Sequence, residues 1–217
     1  MQHKIGHDTD AARDAYTLFW KSNLREHFHS AVEGFQAVLD QCPHDHAHRA
    51  AALSNLAHAI LCGFTKSIDN DIDRAIHLFR SALSHRPRGH VDHPLSILDL
   101  CHALCRRHSH KMDHADLREA AHLYRSILPL FPEGSHLHRV VFDTNAVPYV
   151  IEQCNALPRD PSDESISLRR IVLELCPPQH PRRARSLDNL AGDLYARFER
   201  DGNKDHFYEA VHLSREA

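Results

Sequence analysis

Apolar and polar positions alternate along this chain in two recurring stripes, punctuated by four prolines. Pro43, Pro87, Pro132 and Pro177 lie 44, 45 and 45 residues apart. Twelve residues before each stand Ala31, Ala75, Ala120 and Ser165. Eight before stand Phe35, Phe79, Tyr124 and Arg169, and five before stand Val38, Ala82, Ile127 and Val172. Offsets of four and three put these residues on one stripe of a helix. The proline ends that helix, because it has no N–H to continue the ladder. A second stripe follows each proline. Ten residues on are Leu53, Ile97, Phe142 and Leu187; thirteen on are Leu56, Leu100, Asn145 and Leu190. Fourteen on are Ala57, Cys101, Ala146 and Ala191, and seventeen on are Ile60, Leu104, Tyr149 and Leu194. This is another amphipathic helix, with a small residue where a neighbour packs closely.

The pattern predicts an all-α chain with helices over 9–24, 27–41, 47–64, 71–86, 93–108, 115–130, 136–155, 163–176, 181–199 and 205–216. These pair into five helix-turn-helix repeats over about 9–43, 44–87, 88–132, 133–177 and 178–217, a single α-solenoid domain. Acidic stretches at Asp69 to Asp73, Asp113 to Asp116, Asp160 to Asp163 and Asp205 are expected to cap the second helix of each pair. The fourth repeat departs from the pattern. It carries Ser165 and Arg169 where the others have alanine and an aromatic residue, and Pro148 within its first helix predicts a kink.

Composition narrows the class. With 217 residues, 42% hydrophobic and 25% charged, the chain can bury a core. Seven glycines and eleven prolines argue against turn-dense β architecture. A net charge of −3 argues against a nucleic-acid binder. There is no apolar leader and no run long enough to span a membrane. Cys42, Cys62, Cys101, Cys105, Cys154 and Cys176 fall mostly within helical patterns, so they are expected as reduced, buried thiols of an intracellular, cytoplasmic protein. The chain stops at Ala217, inside the last expected helix, without a polar terminal cap. This suggests a piece of a longer array or an end that docks on something.

At this level the residues carry a family resemblance. Ala75, Phe79, Ala82 and Pro87, with Ala120, Tyr124, Ile127 and Pro132, look like the second helix of a tetratricopeptide repeat. Asn55, Leu56 and Ala57, with Asn189, Leu190 and Ala191, look like its first helix. The period is about ten residues longer than the standard 34, and is more similar to the long-helix variant of kinesin light chains. It also resembles repeat arrays of large fungal proteins with a recurrent Gly-His-x-Asp loop, here Gly89, His90 and Asp92. The resemblance implies a right-handed superhelix whose first helices line a concave groove. That groove would hold a protein or peptide segment, while the resemblance says almost nothing of activity. Carried over residue by residue, the groove is Ser54, His58, Leu61, Leu98, His102, Arg106, Asp143, Val147, Val150, Ile151, Asp188 and Tyr195. Leu95 and Arg185 belong to the same faces. A stacked Lys/Arg carboxylate clamp is missing, so an apolar helix or extended peptide, anchored by Val147, Val150, Ile151 and Tyr195, is the expected partner.

The 22 histidines are the unusual component. Many recur in the loops after the prolines, and the plain reading is a loop residue copied with the repeat. The alternative is a divalent metal site for zinc, copper or nickel. His44, His46 and His48 alternate in HDHAH, and His58, Cys62, His102 and Cys105 would form a mixed thiolate–imidazole set. Neither has paired Cys-x-x-Cys spacing, and no cofactor is otherwise expected. Protonating all 22 adds as many charges to a net charge of −3, so solubility or self-association should depend strongly on pH between about 7.5 and 5.5. No phosphate loop or catalytic triplet motif is present. A nucleophile pair of Cys62 with His58, or use of the groove as a small-molecule pocket, is the weakest alternative.

Overall fold

A computed structural model describes residues 2–131 and 146–217, and these are helical with short connections and no strand. The helices are α1 (Gln2–Ser22), α2 (Arg25–Asp40), α3 (Arg49–Thr65), α4 (Ile72–Ser84), α5 (His93–Lys111), α6 (His114–Ile127), α7 (Ala146–Ala156), α8 (Asp163–Glu174), α9 (Arg183–Asp201) and α10 (Lys204–Glu216). A 3-10 turn, Leu128–Leu130, follows α6. Among the described residues no helix is long and apolar enough to cross a membrane. The chain divides into two compact units, residues 1–110 and 111–217.

In the first unit α1 packs on α2, α2 on α3 and α3 on α4. The periodic stripes supply the core. Ala31, Phe35, Val38, Leu53, Leu56, Ala57, Ile60, Ala75, Phe79 and Ala82 are all buried. Two glycines set close helix contacts. A Cβ at Gly34 would lie 2.8 Å from the Cβ of Ala12, and one at Gly63 would lie 2.3 Å from the Phe28 ring. Helix α1 begins seven residues earlier than the sequence pattern places it. Ile5, Ala12 and Phe19, spaced seven apart, form a buried stripe that the polar stretch around them conceals.

In the second unit α6 packs on α7 and α8, and α8, α9 and α10 pack in succession. Ile166, Leu187, Leu190, Ala191, Leu194, Ala210 and Leu213 form one core cluster. The capping residues are partly as expected. Asp71 accepts from the Arg74 N–H and Asp113 from that of Ala115. Ser162, braced by Asp160, caps α8, and Asn203 rather than Asp205 caps α10. The kink expected at Pro148 depends on the segment before it, and residues 132–145 lie outside the described ones.

The ends of the first helices follow one rule with one exception. Asn23, Ser67 and Met112 stand twenty residues before Pro43, Pro87 and Pro132 and adopt φ near 55°, with values of 57, 56 and 54. Such left-handed residues turn the chain and let following N–H groups reach the last carbonyls. Leu157 holds the same position in the fourth repeat but is not left-handed. Pro158 follows it and restricts it to extended backbone. Arg169 caps α7 instead: Nη1 donates to the Cys154 carbonyl and Nη2 to those of Leu157, 2.9 Å, and Pro158, 3.3 Å. Its charge is met by Asp193, whose carboxylate accepts from Nε at 3.2 Å, from the Ser165 hydroxyl at 3.0 Å and from the Asp160 N–H at 3.2 Å. Ser165, Arg169 and Asp193 together stand where the first two repeats have alanine, phenylalanine and alanine (Ala31, Phe35, Ala59; Ala75, Phe79, Ala103). The fourth repeat therefore exchanges an apolar triplet for a satisfied polar one.

Candidate functional site

The expected groove residues divide sharply once packing is known. Val147, Val150 and Ile151 are core residues, with at most 1% of their surface exposed, and cannot anchor a partner. Helix α7 is short and packs against α6, α8 and α9, which covers its apolar side. Ser54, Leu61, Cys62 and Cys105 are buried as well. The sequence pattern misled because apolar residues on a first helix serve the adjacent helices before they serve a ligand. Asp143 lies outside the described residues. Asp188 and Tyr195 are exposed on α9 in the second unit. There Tyr195 joins an aromatic group, with its ring 6.2 Å from Phe198 and 6.5 Å from Phe207.

What remains accessible in the first unit is a polar row on α3 and α5. His58 and His102 occupy equivalent repeat positions, fifteen residues after Pro43 and Pro87. His58 Nε2 lies 3.3 Å from the Asp99 carboxylate, and its ring meets Phe79 edge-on at 5.0 Å. Four residues on from His102, the Arg106 Nε donates to His102 Nε2 at 3.4 Å, which places the proton of the neutral imidazole on Nδ1. Desolvation holds His102 below the ordinary histidine range, and the Arg106 and His58 charges act in the same direction against the pull of Asp99. Leu95 is exposed and Leu98 half-buried on the same helix, at spacings of three and four from the polar residues. The α5 row thus runs from an apolar end to a cationic one. Asp99 was not foreseen as part of this site. Its spacing of three from His102 on a first helix was the available signal.

The mixed thiolate–imidazole site expected of His58, Cys62, His102 and Cys105 is not assembled. Cys62 packs with Phe19, Phe28 and Tyr16, away from the polar row. Burial pushes its thiol up, with the Tyr16 hydroxyl as its hydrogen-bond partner. Cys62 thus meets Tyr16 on α1 whereas His58 meets Asp99 on α5, so the two side chains serve different neighbours. All six cysteines are free and buried, and burial raises Cys154 to about 12. Among the described residues no group of three His, Cys, Asp or Glu side chains is placed to hold a metal ion.

The loop histidines have a structural task instead. After each of three repeat prolines the backbone makes two successive turns. His46, His90 and His180 N–H groups donate to the carbonyls of Pro43, Pro87 and Pro177, at 2.9, 3.0 and 2.8 Å. Arg49, His93 and Arg183 N–H groups then donate to the carbonyls of those histidines. The histidine Nδ1 atoms accept from the N–H groups of His48, Asp92 and Arg182, at 3.2, 3.0 and 3.1 Å. The residue six after the proline reaches back to the carbonyl before it, from Arg49 to Cys42, from His93 to Arg86 and from Arg183 to Cys176. A ring that accepts at Nδ1 carries its proton on Nε2. His46 would ligate a metal through Nε2 only by giving up the bond from the His48 N–H to its Nδ1.

No known family model matches the chain, and no curated protein matches it at a significant level. The architecture that stands is all-helical, with ten described helices packed in neighbouring pairs, compatible with a helical repeat.

Proposed function

We propose that this chain is a non-catalytic binding module, a tetratricopeptide-like solenoid that captures a protein or peptide segment on its first-helix faces. The observation that carries the reading is the exposed row on α5, with its partner His58 on α3. Leu95 and Leu98 offer apolar contact at one end. His102 and Arg106 offer donors and positive charge at the other. A helix or extended segment with an apolar residue a turn away from a carboxylate matches this row. Specificity would come from the carboxylate, because the buried Val147, Val150 and Ile151 supply no anchor. Residence in a reducing, cytoplasmic compartment is part of the proposal and accords with the six free thiols.

The test is selection of displayed random peptides on the intact chain, followed by fluorescence anisotropy on the selected sequences. Arg106→Glu combined with His102→Glu should weaken binding at least tenfold, because both side chains are exposed and the substitutions reverse the local charge. The melting temperature should change little. Selected peptides without acidic residues, or binding indifferent to this variant, would move the site elsewhere.

A further inference from the structure

The loops that carry the histidine turns also enclose a cleft, separate from the α3–α5 row. It has a volume of about 460 Å³ and is lined by His44, His46, His48, His85, Arg86 and His90, with Asp45 and Asp92 as its acids. Ala50 and Ala51, in the first turn of α3, complete it.

We propose that this cleft is a binding site for a tetrahedral oxyanion, a phosphate or sulfate group of a small molecule, and that binding is coupled to proton uptake by its histidines.

Three independent features converge on an anion. The N-terminus of α3 opens on the cleft with its dipole unopposed. His48, the N-cap, makes no side-chain cap, and the first turn contains no acid. Free N–H groups with a positive partial charge favour an anionic ligand. Second, His46 and His90 are fixed as Nε2–H tautomers by the turns that occupy their Nδ1 atoms. Two preset N–H donors suit oxygen acceptors and oppose a metal cation. Third, Arg86 brings a guanidinium to the cleft wall, with Nη1 donating to the Ser96 hydroxyl at 2.8 Å and Nε 3.8 Å from the Asp92 carboxylate.

The coupling to protons comes from the charge balance. Among the lining residues Arg86 stands against Asp45 and Asp92, so an anion is opposed while the imidazoles are neutral and favoured once they take up protons. The His44 and His85 rings sit 4.8 Å apart. His44 Nδ1 lies 3.2 Å from the Asp45 carboxylate. Desolvation keeps His85 below the ordinary range, with His44 and Arg49 pushing the same way against Asp45. A dianion in the cleft opposes the penalty on protonating His85 and attracts positive charge on the neighbouring His44 ring. The volume exceeds what one inorganic ion fills, so an ester of phosphate or sulfate is favoured over the free ion.

Sulfate is the decisive probe, because it remains a dianion where phosphate itself titrates near pH 6. Isothermal titration calorimetry on the whole chain should give one sulfate site, at least tenfold tighter at pH 6.0 than at pH 7.5, with proton uptake. Imidazole ¹H–¹⁵N spectra of the unmodified protein should show the His85 and His44 titrations moving upward on sulfate addition. Phenyl phosphate should bind more tightly than inorganic phosphate at one pH. His44→Gln with His85→Gln should remove the pH dependence, while His180→Gln, in the second unit, should not. Imidazole shifts identical in sulfate and in chloride of equal ionic strength would overturn the proposal. So would one equivalent of Zn²⁺ held through His46 and His90.

Discussion

Removing Asp193 is the most demanding test of how the fourth repeat is built. Asp193 and Arg169 are 0% and 1% exposed, and the arginine is engaged on all three nitrogens. In Asp193→Ala the guanidinium keeps its three carbonyl acceptors but loses its counter-charge. The Ser165 hydroxyl and the Asp160 N–H lose their acceptor as well. Breaking a buried pair by removing one partner costs about 3 to 5 kcal/mol, because the other charge is left uncompensated. The 107 residues of the second unit should lose stability by that amount. At about 4 to 8 °C per kcal/mol for a domain near this size, its melting temperature should fall by roughly 12 to 40 °C. The assay is urea and thermal unfolding followed by circular dichroism, with the first unit's transition as internal reference. The double variant Arg169→Phe with Asp193→Ala restores the residues of the first repeats. It should recover the electrostatic loss but remain about 1 to 3 kcal/mol below the parent, since the carbonyls of Cys154, Leu157 and Pro158 lose their donor. A loss below about 1 kcal/mol for Asp193→Ala would refute the reasoning, and so would a double variant worse than the sum of the singles.

Acid should weaken the fold through its neutral histidines. His85, His102 and His180 are each held below 6.5, chiefly by desolvation. The unfolded chain therefore binds protons that the folded chain does not, so stability is complete above about pH 6.5 and declines as pH falls below it. Urea midpoints at pH 7.5 and 5.5 should show this decline, and His180→Asn, which keeps an acceptor for the Arg182 N–H, should flatten it for the second unit. Gly63→Ala should destabilise the first unit by roughly 1 to 2 kcal/mol, the helix propensity gained offsetting part of the clash with Phe28; a variant as stable as the parent in urea would show that α2 can move away.

The proline-framed stripes determined that the chain is helical, where nearly every helix lies and which residues form its core, because burial on one helix face must repeat every three to four residues. They could also be read for the oddity of the fourth repeat, since Ser165 and Arg169 stand out in the alignment of the chain with itself. The sequence alone did not show their partner. Asp193 lies 24 residues from Arg169 and meets it only when α9 packs on α8. The start of α1 was hidden for a similar reason, as Ile5 is apolar in a polar stretch and becomes core only against α2. Function was the least legible. An apolar residue on a first helix reads the same whether it faces a ligand or a neighbour, and packing assigned Val147, Val150 and Ile151 to the neighbours. A loop histidine copied with the repeat gains a physical reason only when the backbone N–H that occupies its Nδ1 is seen. Local periodicity fixes secondary structure because it is a property of adjacent turns; the accessible surface and the free lone pairs are set by contacts between residues far apart in the chain, and those only the tertiary structure decides.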